Sequence, residues 1–133
     1  MNRKQARENA FILIFEAISK SDETAIEIYE KAIERELLVD DFVKQVFFGS
    51  MENYKLISEY VEKSLIGWKK ERISTVSKAI LTLASYEMMF MDDIPTKVSI
   101  NEGIELSKKY DDEKAYALVN GSLNAIAELT GKK

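Results

Sequence analysis

Residues 74–109, STVSKAILTLASYEMMFMDDIPTKVSINEGIELSKK, decide the fold class of this 133-residue chain. Apolar residues recur every three or four positions on both sides of Pro95, the only proline in the sequence. This spacing is typical of helices that bury one face. Ser74 can cap a helix over 75–91, and Pro95 favours a turn because it lacks an amide hydrogen and restricts the preceding residue. The stretch therefore predicts two helices joined by a tight turn, the second over 97–109.

The rest of the chain continues the helical pattern in both directions. One proline and five glycines leave few helix breakers. Besides a helix at the start of the chain, the apolar spacing predicts helices over 23–37, 40–65 and 113–129. We therefore expect an all-α protein of six or seven helices. It should form one domain made of two small packed helical bundles, approximately residues 1–66 and 67–133.

Two glycines fall inside predicted helices. Gly49 is expected to bend the helix over 40–65. Gly121 lies in an otherwise apolar helix, where glycine costs about 1 kcal/mol relative to alanine. The expected reason for Gly121 is the close approach of another backbone, and the alternative is a site for the backbone of a ligand.

The composition argues against an enzyme. The sequence has no His and no Cys, so the commonest general base, the commonest transition-metal ligand and the best nucleophile are all absent. It also lacks a glycine-rich phosphate loop. The acidic pairs Asp92-Asp93 and Asp111-Asp112 fall at predicted helix ends, where capping explains them better than a metal site. We predict no catalytic residue, no metal site and no cofactor.

The location is also constrained by composition. No apolar run is long enough to span a membrane, and the start lacks the pattern of a signal peptide. The absence of Cys fits a reducing compartment. We therefore expect a cytoplasmic protein with no membrane partner.

The start of the chain is basic although the net charge is −4. Arg3, Lys4 and Arg7 lie at the beginning of the first predicted helix, where positive charge opposes the helix dipole. Their spacing places all three on one side of that helix. They form either a solvated surface or a phosphate-binding patch. The dipole argument favours the patch by only a few tenths of a kcal/mol per charge.

Glu87 interrupts an apolar helix. It follows Ile80 by seven positions and Leu83 by four, so it lies along the apolar face or beside it. The spacing leaves two interpretations open. Glu87 is either an exposed residue at the edge of that face or a polar contact in an interface.

Three stretches together resemble the NusB family of transcription antitermination factors. They are ARENAFILIFE at residues 6–16, the segment from Glu71 to Tyr110, and VNGSLNAIA at residues 119–127. The resemblance implies an all-helical fold of two bundles and no catalysed reaction. It implies binding to the boxA element of nascent RNA, chiefly in ribosomal RNA leaders, together with the small-subunit ribosomal protein NusE. The pair would help RNA polymerase read through terminators, in a complex with other Nus factors. Whether the protein forms a homodimer in the absence of these partners is left open.

The resemblance also assigns roles to particular residues. It implies RNA contacts at Arg3, Lys4, Arg7, Lys114, Tyr116 and Leu118. It implies NusE contacts at Phe15 and Glu87.

Four positions depart from the family pattern. Many relatives have Lys-Phe where this chain has Ala117-Leu118. Phe15 replaces a more usual tyrosine, and Thr82 replaces a frequent arginine. Because an aromatic ring stacks on an unpaired base better than leucine does, these departures predict weaker RNA binding or greater dependence on the partner.

Two other functions remain open at this point. The same helical module accompanies the catalytic domain of some ribosomal RNA cytosine methyltransferases, so the chain could be a related interaction module without its own catalysis. It could also be a helical adaptor that binds protein only. Binding of a boxA-like RNA with and without NusE would separate the three.

Overall fold

The computed structural model describes residues 1–20, 22–68 and 72–132, and these ranges contain seven α-helices and no strand. The prediction of an all-α fold is confirmed. The helices are α1 (Arg3–Ser19), α2 (Ala25–Glu34), α3 (Asp41–Glu52), α4 (Tyr54–Ser64), α5 (Thr75–Phe90), α6 (Thr96–Tyr110) and α7 (Ala115–Leu129). No helix in this part of the chain is both long enough and apolar enough to cross a membrane.

Side chains at the helix starts explain several of these boundaries. The Asn2 side chain accepts a hydrogen bond from the Gln5 amide at the start of α1. Ser74 accepts one from the Ser77 amide at 2.9 Å, so the predicted cap of α5 is confirmed. Each cap satisfies an amide that has no partner within its helix.

The predicted helix over 40–65 is divided in two. The break is at Asn53, between α3 and α4, rather than at Gly49. The Asn53 side chain donates a 2.8 Å hydrogen bond to the Gly49 carbonyl. The same carbonyl also accepts the Asn53 amide at 3.0 Å, and a side chain that bonds back to the carbonyl four residues earlier tends to bend a helix. The prediction of one bent helix is therefore wrong.

Gly49 and Gly103, rather than Gly121, allow close packing between helices. A Cβ atom on Gly49 would lie 2.4 Å from the Tyr86 ring. One on Gly103 would lie 2.8 Å from a Leu123 methyl group. Nothing lies within 4 Å of the corresponding position at Gly121, which is exposed. The expected close approach of a backbone within this chain at Gly121 is therefore wrong.

Helix α5 forms the centre of the fold. It packs against α1, α3, α4, α6 and α7, and every residue from Ala79 to Met88 is buried. A helix that is buried on all sides explains the nearly continuous apolar sequence of this segment. Because α5 contacts helices of both halves, the proposed boundary between residues 66 and 67 stays a prediction.

Candidate nucleic-acid interface

Arg7 and Glu87 form an ion pair inside the protein. The Arg7 Nε and Nη2 atoms donate hydrogen bonds to the two Glu87 carboxylate oxygens at 2.7 and 3.0 Å. The Ser99 hydroxyl donates to Glu87 Oε1 at 2.9 Å, and Arg7 Nη1 lies 3.5 Å from Glu102 Oε1. Arg7 is 4% exposed and Glu87 is 0% exposed. A two-point arginine–carboxylate contact of this kind is strong and fixes the geometry of both side chains.

This pair corrects two expectations about exposure. Glu87 does not lie at an exposed edge or an open interface, because α1 and α6 supply the groups that surround it. Arg7 does not share a solvated surface with Arg3 and Lys4, because its guanidinium faces α5 instead. In this arrangement Arg7 is not available to an external phosphate. The pair holds the start of α1 against α5 and α6.

Arg3 and Lys4 remain at the surface, as the sequence predicts. The Arg3 guanidinium lies 4.2 Å from the centre of the Phe42 ring on α3. At this distance the positive charge is attracted to the face of the ring. Lys4 lines a cavity of about 140 Å³ together with Arg7, Glu8, Glu102, Glu105, Leu106 and Lys109. The basic surface at the start of α1 therefore consists of two cations rather than three.

The end of α6 contributes two lysines that sequence reasoning missed. Lys109 Nζ lies 2.9 Å from both carboxylate oxygens of Glu8, and Tyr110 donates a hydrogen bond to the same carboxylate. Lys108 lies 5.5 Å from the centre of the Tyr116 ring on α7. These lysines connect the surface at the start of α1 with that at the start of α7. The sequence places both lysines in the last turn of a predicted helix. Lysines there are also expected for a structural reason, because a positive charge interacts favourably with the C-terminal end of the helix dipole.

Contacts with Tyr110 and Lys109 favour the ionised form of the Glu8 carboxylate. Partial burial alone would raise its pKa. The hydrogen bonds from Tyr110 and Lys109 outweigh this effect, so the pKa of Glu8 lies below its ordinary value. The same contact raises the pKa of Lys109 above its ordinary value. Both shifts favour the charged forms, and the contact joins α1 to α6.

The predicted contacts at the start of α7 divide into exposed and buried residues. Lys114 is exposed, and Tyr116 is 42% exposed. Leu118 is 6% exposed and belongs to the core. Leu118 therefore cannot present its side chain to a base in the way that the family resemblance implies.

Replacement of Leu118 tests this conclusion. We expect Leu118→Phe to lower the free energy of unfolding by about 1–3 kcal/mol, because extra volume in a packed core forces neighbouring side chains to move. Urea denaturation measures the change, and Ala117→Phe, at an exposed neighbouring position, is the matched control. A variant with unchanged stability and tighter RNA binding would instead place residue 118 at a base-stacking surface.

The remaining predicted residues lie in other parts of the fold. Phe15 is half-buried on α1, and its ring centre is 6.3 Å from that of Phe11. Thr82 is buried, and its hydroxyl donates to the Lys78 carbonyl at 2.7 Å. The described residues contain no cluster of three or more acidic side chains placed to hold a metal ion.

Comparisons with known proteins match the chain along nearly its whole length. The NusB family model matches residues 4–128. The chain is 43% identical over 126 residues to the transcription antitermination protein NusB of Bacillus subtilis, and the match covers 95% of each protein. It is 32% identical to a solved structure of T. maritima NusB, with a TM-score of 0.83 and coverage of 96% of this chain and 92% of that one.

A further solved structure contains antitermination factors NusB and NusE in complex with dsRNA. It matches with a TM-score of 0.82 and 26% identity, covering 96% of each chain. None of these comparisons supports the methyltransferase-module alternative.

Proposed function

Because this chain belongs to the NusB family, we propose that it is a transcription antitermination factor that binds boxA RNA together with NusE and promotes read-through by RNA polymerase. The observation that carries the proposal is the match over 95% of both this chain and the curated relative. The solved structure that contains NusB, NusE and dsRNA supports both kinds of partner. The family acts in transcription antitermination and not as an enzyme, so the prediction that the chain is not an enzyme agrees with its family.

The proposed RNA contacts follow from which cations and rings are accessible. Arg3, Lys4 and Lys114 would contact phosphates, and Tyr116 would contact a base. Phosphate contacts of this kind position a protein on RNA without reading its sequence. Arg7 and Leu118 would act indirectly, through the ion pair with Glu87 and through the core beneath α7.

The proposed NusE contact involves the surface around Phe15. Phe15 retains accessible apolar area on α1 and can therefore take part directly. Glu87 is fully buried, so its proposed effect on NusE is to position α1 through Arg7.

The wider assembly follows from the same family membership. We propose that the chain acts in the cytoplasm, at nascent ribosomal RNA on RNA polymerase, with other Nus factors. Without these partners it would self-associate as a homodimer, and light scattering of the free protein would measure this.

Fluorescence anisotropy of labelled boxA RNA tests the main proposal. We expect the protein to bind the RNA, and we expect NusE to increase the affinity. A scrambled RNA of the same length is the control for sequence preference. Equal binding of both RNAs, or no binding with NusE present, would contradict the proposal.

Charge removal at the start of α1 tests the phosphate contacts. Single-stranded RNA loses about 0.7 counterion per neutralised phosphate, so changing Arg3 and Lys4 together to Gln should lower the salt slope of binding by about 1–1.5. Affinity should fall for boxA and scrambled RNA alike. A salt titration of anisotropy measures both effects.

The matched control changes Lys44 and Lys55 to Gln, since both are exposed on α3 and α4 and the net charge changes equally. Its salt slope should equal that of the parent. If the variant at Arg3 and Lys4 also had the same salt slope of binding as the parent, these two cations would face solvent in the complex.

A further inference from the structure

Trp68 is the only tryptophan in the sequence, and it lies at the surface. Its side chain is 46% exposed, and no aromatic or cationic group stacks on its ring among the described residues. Gly67 precedes it with a φ of +86°, a conformation that other residues rarely adopt. The Trp68 amide donates to the Leu65 carbonyl at 3.1 Å, which closes this turn after α4. The backbone therefore holds a large aromatic ring at the surface, where tryptophan is enriched in binding sites.

Trp68 lines a cavity of about 500 Å³. This volume is within the usual range of ligand sites. The turn after α4 and the start of α5 form one wall, through Trp68, Arg72 and Ile73, and the start of α7 forms the other, through Lys114 and Leu118. The cavity therefore combines apolar side chains and one exposed aromatic ring with two cations and the two carboxylates of Asp111 and Asp112.

The acidic residues in this cavity are already engaged by the fold. Asp111 Oδ2 accepts hydrogen bonds from the Ser74 and Ser77 hydroxyls at 2.6 and 2.7 Å. Asp112 Oδ1 accepts one from the Ala115 amide at 3.1 Å. Arg72 and Lys114 are exposed and form no ion pair with another described residue. The cations can therefore contact an external phosphate, while the carboxylates accept hydrogen bonds from within the protein.

We propose that Trp68 stacks on an unpaired base of single-stranded RNA in this cavity, with Arg72 and Lys114 contacting the flanking phosphates. An exposed aromatic ring beside cations is the usual arrangement of such sites. The proposal rests on the proposed RNA-binding function, and it identifies the surface that reads an unstacked base. Leu118 is buried and has no ring to stack on a base, whereas Trp68 supplies an exposed aromatic ring in the same cavity.

The intrinsic fluorescence of Trp68 tests the proposal directly, because no other tryptophan contributes. The probe is a single-stranded boxA RNA of about 12 nucleotides, within the range that such sites cover. Anisotropy of the labelled RNA measures binding, and unlabelled RNA is added while tryptophan emission is recorded. We expect emission to be quenched with the same midpoint as the anisotropy change.

Variants separate stacking from a structural role. Trp68→Ala should weaken RNA binding by about 5- to 150-fold, the range for loss of one stacked base, whereas Trp68→Phe should restore most of the affinity. Ile66→Ala is the matched control, because Ile66 is 85% exposed in the same turn and its loss should leave both affinity and quenching unchanged. Because Trp68 is exposed, Trp68→Ala should retain the parent melting temperature.

Three results would overturn the proposal. If RNA binds by anisotropy but Trp68 emission and the affinity of Trp68→Ala stay unchanged, Trp68 does not stack, and the proposed function stands. If NusE alone quenches Trp68 and RNA does not, this surface binds protein. If no RNA binds even with NusE, the proposed function fails together with the stacking site.

Discussion

Replacing Glu87 with alanine is expected to lower the free energy of unfolding by about 3–5 kcal/mol, because the buried Arg7 guanidinium would lose its main partner. Glu102 would remain as a single, longer contact at 3.5 Å and would compensate only in part. For a domain of this size the loss corresponds to a fall in melting temperature of about 10–20 °C. Urea denaturation and thermal melts followed by circular dichroism measure it.

A surface carboxylate provides the matched control. Glu105 lies on α6 with its side chain 54% exposed and 3.8 Å from Lys108. We expect Glu105→Ala to change the free energy of unfolding by no more than about 0.5 kcal/mol, as is usual for exposed pairs. A Glu87→Ala variant that kept its stability but lost NusE binding would instead make Glu87 a direct interface residue.

A double variant separates the charge from the volume of the pair. We expect Arg7→Met combined with Glu87→Met to recover most of the stability lost in Glu87→Ala, because apolar side chains of similar size remove both buried charges. If this double variant retained its fold but bound RNA less tightly, the ion pair would be needed to position the start of α1. If the double variant bound RNA as tightly as the parent, the ion pair would have only a structural role.

Replacing Gly49 with alanine is expected to lower the free energy of unfolding by about 1–3 kcal/mol, the usual cost of overpacking a core. The new methyl group would lie 2.4 Å from the Tyr86 ring. That ring is 6% exposed and stacks on Phe90 with a centre distance of 5.1 Å, so it has little room to move.

Gly121 offers the same substitution with the opposite expected sign. It lies within α7, and nothing is within 4 Å of the added methyl group. Gly121→Ala should therefore raise the free energy of unfolding by about 0.5–1 kcal/mol, the difference in helix propensity. Urea denaturation of both variants gives the comparison. If Gly49→Ala left the free energy of unfolding unchanged, the Tyr86 ring would move aside without cost.

The sequence alone was sufficient for the helical class and for most element positions. Helical periodicity and the scarcity of helix breakers predicted the end of α5 to within one residue. Ser74 and Pro95 marked where α5 and α6 begin. These features depend on contacts within a few positions along the chain, so they can be read locally. The break at Asn53 was missed because the apolar spacing continues through it, and only the hydrogen bond from the Asn53 side chain to the Gly49 carbonyl marks it.

Only the tertiary structure decided the positions of the proposed functional residues. Arg3 and Arg7 share one side of a helix by spacing, but α5 and α6 cover Arg7 and leave Arg3 exposed. The partner of Arg7 lies 80 positions away in the sequence. Periodicity predicts which residues share a face of a helix, and the arrangement of the other helices determines which part of that face meets solvent. Local pattern therefore determined the helices of this protein, whereas packing between distant segments separated buried charges from accessible ones.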